Sequence, residues 1–161
     1  MGYDPLGARA EQYTVSAVVD EVRDRAAKIR IRTAIELEVL KVVRPTVESR
    51  EKVINQSTRL GDIGKISTTD VDVLALTLDI LASGQRCLLV TDDYAVQNVA
   101  HQMGVSFKPL ATPGIRHQFF WRLYCPACGR SYPSSFTENV CPICGTPLRR
   151  RVSRKRRIRE P

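Results

Sequence analysis

Four cysteines in the pattern C-x2-C-x12-C-x2-C constrain this chain more than any other feature: Cys125, Cys128, Cys141 and Cys144. They lie in "YCPACGRSYPSSFTENVCPICGTPL", and each pair is followed by a glycine, Gly129 or Gly145, that lets the backbone turn its amides toward the thiolates. Four thiolates define a closed tetrahedral zinc site, which folds a segment too small to build its own core. Two disulfides would instead require an oxidising compartment, for which nothing else in the sequence argues. Because the protein supplies all four ligands, this zinc is expected to be structural. The fifth cysteine, Cys87, lies in an apolar run and reads as a small core residue.

Charge is divided unevenly around that cluster. Residues 1–110 hold 14 Lys+Arg against 15 Asp+Glu, whereas residues 111–161 hold 11 against 2. A near-neutral body with a cationic end is the electrostatic footprint of a nucleic-acid binder. Arg149, Arg150, Arg151, Arg154, Lys155, Arg156 and Arg157 are the expected phosphate contacts, on a basic tail whose alternative reading is a solvated end kept for solubility. His117, Phe119, Phe120 and Trp121, just before the ribbon, either stack on unpaired bases or pack the ribbon on its neighbour. No apolar run approaches the ~18 residues that span a bilayer. "MGYDPLGARAEQ" does not read as a secretory signal, so the expected compartment is the cytoplasm.

Upstream, strands and helices alternate. Residues 13–30 open with a short β-prone run and then take helical spacing. Residues 32–45 read as a helix to about Glu38 followed by the strand "VLKVV". Residues 46–63 and 67–84 read as helices capped by Thr46 and Ser67, the second stopped at Gly84. "CLLV" is a buried strand, "DDYAVQNVAHQMG" a helix closed by Gly104, and "VSFKPL" a last short strand. Apolar strands alternating with helices predict an α/β domain with a parallel sheet, whose ligand site lies beyond the carboxyl ends of the strands.

That geometry singles out acids. Asp92 and Asp93 follow the strand "CLLVT"; Asp20-Glu21 and Asp70 with Asp72 stand at other element edges. Hard divalent cations take carboxylates from separate segments and keep positions for water and phosphate. Each acid also has a local use. Asp70 completes a capping arrangement with Ser67, Asp92 or Asp93 caps the helix that follows, and Glu21 is a solvated helix residue. Gln97 and Asn98 lie on the helix leading away from the acidic pair.

"YTVSAVVDEVRD", "ISTTDVDVLALTLDI" and "LLVTDDYAVQNVAHQMGV", followed by the cysteine ribbon, resemble the Nin-one-binding (Nob) endonuclease family in its compact archaeal form. The resemblance covers nearly the whole chain. It implies a three-layer PIN nuclease domain over residues 1–112, a linker over 113–122, a zinc ribbon over 123–150 and a basic tail over 151–161. It also implies a divalent-metal endoribonuclease that trims the 3′ end of small-subunit ribosomal RNA on the pre-ribosome. Glu21, Asp70 and Asp93 would hold Mg2+ or Mn2+, with Asp92 the less certain neighbour. The resemblance further implies a first apolar strand ending in an Asp-Thr-Ser-like motif. No such strand follows Met1, and Asp4 stands in a turn-like "YDP". As written, the expected site is one carboxylate short and the sheet one strand short: either the true start lies upstream of Met1 or this form has lost the strand, and the second case motivates an alternative reading as a non-catalytic RNA-binding assembly factor. A DNA-binding transcription module built on the ribbon is a weaker alternative.

Overall fold

The computed structural model describes residue 7, residues 10–62 and residues 64–158. Asp4 and the last three residues of the expected tail lie outside them.

The first half alternates strand and helix as its spacing predicts. Strand β1 (Gln12–Thr14) leads into helices α1 (Ser16–Glu21) and α2 (Arg25–Glu36), then strand β2 (Leu40–Val42). Asp24 starts α2 by accepting a hydrogen bond from the Ala27 amide at 2.7 Å, so the helical spacing within residues 13–30 is divided between two helices, and α2 runs on into the stretch read as a helix from residue 32. Helices α3 (Val47–Leu60) and α4 (Thr68–Ala82) start on the Thr46 and Ser67 side chains. Asp79 locks the pair together by accepting from the Thr46 amide at 2.7 Å and from the Ser49 hydroxyl at 2.6 Å. Strand β3 (Leu89–Val90), helix α5 (Tyr94–Gln102) and strand β4 (Phe107–Lys108) complete the domain.

The strand pairings are parallel, β1 with β2 and β3 with β4, but they form two separate two-stranded sheets among the described residues. Val42 and Val90 stay 41% exposed, although an apolar parallel strand ordinarily has both faces covered. Helices carry the core: Val53 and Leu60 of α3, Leu74 and Ala75 of α4, and Val96, Val99 and Ala100 of α5 close around Leu89 and Val105. Cys87 lies just before β3, only half-buried, and that burial pushes its thiol up. No helix among the described residues is long and apolar enough to cross a membrane.

The second half departs from expectation. Residues 117–122, expected in a linker, belong to strand β5 (His117–Tyr124), and residues 151–157, expected as a tail, belong to strand β7 (Arg149–Arg157). Together with the short β6 (Ser131–Tyr132) they form an antiparallel sheet in the order β6-β5-β7. The physical reason is the partner strand. Arg150 lies over Trp121 at 4.5 Å, Arg154 over Phe120 at 5.8 Å and Lys155 over Phe119 at 5.7 Å. These cation–π contacts give a run of bases a pairing surface that its own composition does not announce.

Candidate nuclease site and its nucleic-acid interface

The cysteine ribbon is built as two matching turns. The Cys125 amide donates to the Arg130 carbonyl and Gly129 N–H to the Cys125 carbonyl; Cys141 and Gly145 repeat the pattern with Thr146 and Cys141. Gly129 and Gly145 sit at φ 73° and 69°, a left-handed conformation that glycine adopts without a Cβ penalty. The four Sγ atoms lie within 4.8 Å of one another, with Cys125–Cys144 at 3.4 Å and Cys128–Cys141 at 3.7 Å. A tetrahedral ion with bonds of about 2.3 Å to sulfur sets sulfur atoms about 3.8 Å apart, so the set fits a four-coordinate metal. The Tyr132 hydroxyl stands 3.0 Å from Cys141 Sγ, and its hydrogen bond brings that thiol down to about 6. Cys125 and Cys141 are buried and Cys128 and Cys144 exposed, and four protein thiolates leave a tetrahedral ion no open position for substrate.

The carboxylates are distributed differently. Glu21, at the last position of α1, accepts from the Thr69 hydroxyl at 2.7 Å, so α1 and the first turn of α4 meet there. Next to Thr69, Asp70 closes the capping box with Ser67 through its Oδ2. Asp93 caps α5, its Oδ1 accepting from the Ala95 and Val96 amides at 2.6 and 3.1 Å. Asp92 faces the other way. Its Oδ1 accepts from the amides of Leu110, Ala111 and Thr112, each at 3.0 Å. The Thr112 amide, then that of Ala111, holds the Asp92 carboxyl below the usual range. In all four acids one oxygen takes these local bonds, while the other accepts none from the described residues. Asp72 is committed elsewhere, paired with Arg50 at 2.6 Å across α3 and α4.

Local capping and metal holding are thus compatible, because each task uses a different oxygen. Among the described residues, however, only the cysteines form a group of three or more side chains at metal-cage spacing. Glu21, Asp70 and Asp93 therefore do not fit an all-protein cage. An ion of the magnesium type needs no such cage: it keeps several waters and takes one or two carboxylates plus substrate phosphate.

Gln97 and Asn98 proved more informative than their position suggests. Both are buried, and they fasten the ribbon to the domain. Asn98 imitates a strand: its Oδ1 accepts from the Phe119 amide at 2.9 Å and its Nδ2 donates to the Phe119 carbonyl at 2.8 Å. The same Nδ2 reaches Asp62 at 2.6 Å, and Arg150 closes on the other Asp62 oxygen at 2.7 Å. Burial pushes the Asp62 carboxyl up, and the hydrogen bonds from Asn98 and Arg150 oppose it. Gln97 donates to the Thr91 carbonyl and accepts from the Ile115 amide, both at 2.9 Å. Gln118 and Gln102 add a third link. At Gly61, φ 77°, a Cβ would come within 2.9 Å of Trp121 Cβ, so only glycine admits the ribbon this close. The single sign of this clasp in the sequence is two amide residues inside an otherwise apolar helix face.

The clasp brings two surfaces together. A cleft of about 590 Å3 runs along the seam, with Asp93 and Tyr94 on one wall and His117, Phe119 and Trp121 of β5 on the other. Arg150 of β7 also lines it. The exposed Arg149, Arg151, Arg154, Lys155, Arg156 and Arg157 extend the positive surface along the edge strand.

Comparison with known proteins places the chain in a family. A family described as the PIN domain of ribonuclease matches residues 5–80. The protein named "Endoribonuclease Nob1" of Methanocaldococcus jannaschii is 34% identical over 96% of this chain and 74% of its own length. Its namesake in Methanothermobacter thermautotrophicus is 36% identical over 96% and 86%. A third, in Pyrococcus abyssi, is 36% identical over 89% and 85%.

Proposed function

Since the chain belongs to the archaeal Nob1 endoribonuclease family, joining a PIN domain to a cysteine ribbon, we propose that it trims the 3′ end of precursor small-subunit ribosomal RNA on the pre-ribosomal particle, in the cytoplasm. The observation that carries the reading is the cleft. Asp93, at the carboxyl end of β3, faces a sheet that supplies aromatic rings and cations, so a carboxylate fit for metal chemistry and a surface fit for RNA share one space.

Glu21, Asp70 and Asp93 would hold Mg2+ or Mn2+ through the oxygens their local hydrogen bonds leave free, with Thr69 orienting Glu21. Such an ion offsets charge on the scissile phosphodiester and activates a water. Asp92 belongs to the same edge as a positioning residue, fixing residues 110–112 that lead into the cleft wall. Zinc is the ion proposed for the four cysteines, holding the ribbon rigid while the arginines of β7 grip phosphates.

The test is cleavage of a small-subunit rRNA fragment carrying its 3′ extension. A discrete product is expected with Mg2+ or Mn2+ and is lost in Asp93→Asn. Absence of cutting under either metal, or wild-type cutting by Asp93→Asn, sinks the mechanism.

A further inference from the structure

The seam cleft has features that gripping a phosphate chain does not require. Its lining is largely apolar: Ala95, Pro113, Ile115, Phe119 and Trp121. Phosphate contacts need only cations, which the exposed edge of β7 already supplies. The rings are arranged in series, His117–Phe119 at 6.3 Å between centroids and Phe119–Trp121 at 5.8 Å. They do not close the core. Phe120, one position along β5 and on the opposite face of the strand, does that by packing against the helices. Opposite the series, Tyr94 stays 50% exposed at the first turn of α5.

Cations stand at the rim rather than in the floor. Lys65 and Arg116 line the cleft and are exposed, and neither takes part in an ion pair among the described residues. Arg150 is spoken for by Asp62 and by the Trp121 ring. The aromatic wall and the segment leading into it are fastened to α5 before any ligand arrives, by Asn98 on Phe119 and by Gln97 on Ile115. A site held in its binding shape avoids much of the ordering cost of association. Its volume falls within the ~300–1,000 Å3 of small-ligand sites, ample for one nucleotide.

We propose that the seam cleft is a subsite for one unpaired nucleobase of the RNA strand, stacked among Tyr94, Phe119 and Trp121 with its phosphates at Lys65 and Arg116, next to Asp93. A base offers a flat π-face to the rings and carries the anionic backbone that the rim attracts. The subsite rests on the endoribonuclease reading for its substrate. It adds that the enzyme engages a splayed-out base on the domain side of the ribbon.

Trp121 is the only tryptophan in the chain, so its emission reports on the cleft directly. The probes are adenosine and uridine RNA pentamers and the same pentamers with an abasic central position, titrated into the full-length protein without added Mg2+ or Mn2+. The intact pentamers are expected to quench Trp121, and the abasic ones to bind at least about fivefold more weakly. Tyr94→Ala is expected to erase most of that difference while its thermal unfolding matches wild type. Equal affinity and equal quenching for intact and abasic probes overturns the subsite, as does a Tyr94→Ala protein that still discriminates like wild type. The two readings fail separately. Base discrimination without cleavage removes the nuclease assignment alone, and cleavage without discrimination removes the subsite alone.

Discussion

At position 93 the carboxylate caps α5, and substitution can separate that cap from the proposed metal role. Asparagine caps a helix about as well as aspartate, so Asp93→Asn keeps α5 and the fold. It removes the charge a divalent cation needs, and cleavage is expected to fall at least about 10–100-fold, with the unfolding midpoint nearly unchanged. Equal loss of stability and activity would show that the cap was the whole role. Asp92 makes a prediction in pH. Its folded carboxyl lies below the ordinary value of 3.8, so its contribution is present above that value and is lost as pH falls through the lower, folded value. The amide resonances of Leu110, Ala111 and Thr112 should hold still from neutral pH past 3.8 and move only below it. Movement at higher pH would mean that Asp92 does not hold this loop.

Among the elements, β7 carries the most consequence. Excising it to test RNA binding would also strip the pairing edge of β5, so charge removal on an intact strand is the informative change. Arg149, Arg156 and Arg157 are exposed and make no ion pair among the described residues. Replacing all three by glutamine should reduce the slope of log affinity against log salt by about 2 for single-stranded RNA. An unchanged slope would place the phosphates elsewhere. The ribbon makes a parallel prediction for the metal proposed at its four cysteines. A chelator strong enough to empty the four thiolates should release β5 from β6 and shift Trp121 emission to the red. An unshifted spectrum after complete metal loss would show that the ribbon holds by packing alone.

For the molecule as a whole, the seam decides whether domain and ribbon act together. Asn98→Ala would leave the Phe119 amide and one Asp62 oxygen buried without their partner, at a cost of about 1–3 kcal/mol. Denaturant unfolding would measure that loss, and faster amide exchange across β5 would place it at the seam. Unaltered exchange there would mean that Gln97 and Gln118 hold the ribbon unaided. The sequence by itself determined whatever depends on neighbours along the chain: the cysteine turns, the Thr46 and Ser67 caps, the alternation of strands and helices in the first half, and the acids at their edges. Those features follow from local spacing and from side chains bonding backbone a few residues away. Only the tertiary structure decided that the basic end is a strand, because its stabilising rings lie about thirty residues upstream along the chain. It alone paired Asp62 with Arg150 across 88 residues. It also turned Gln97 and Asn98 from unremarked helix positions into the clasp that sets Asp93 against the aromatic sheet. A buried amide recruits a partner by its place in space, which spacing along a chain does not encode.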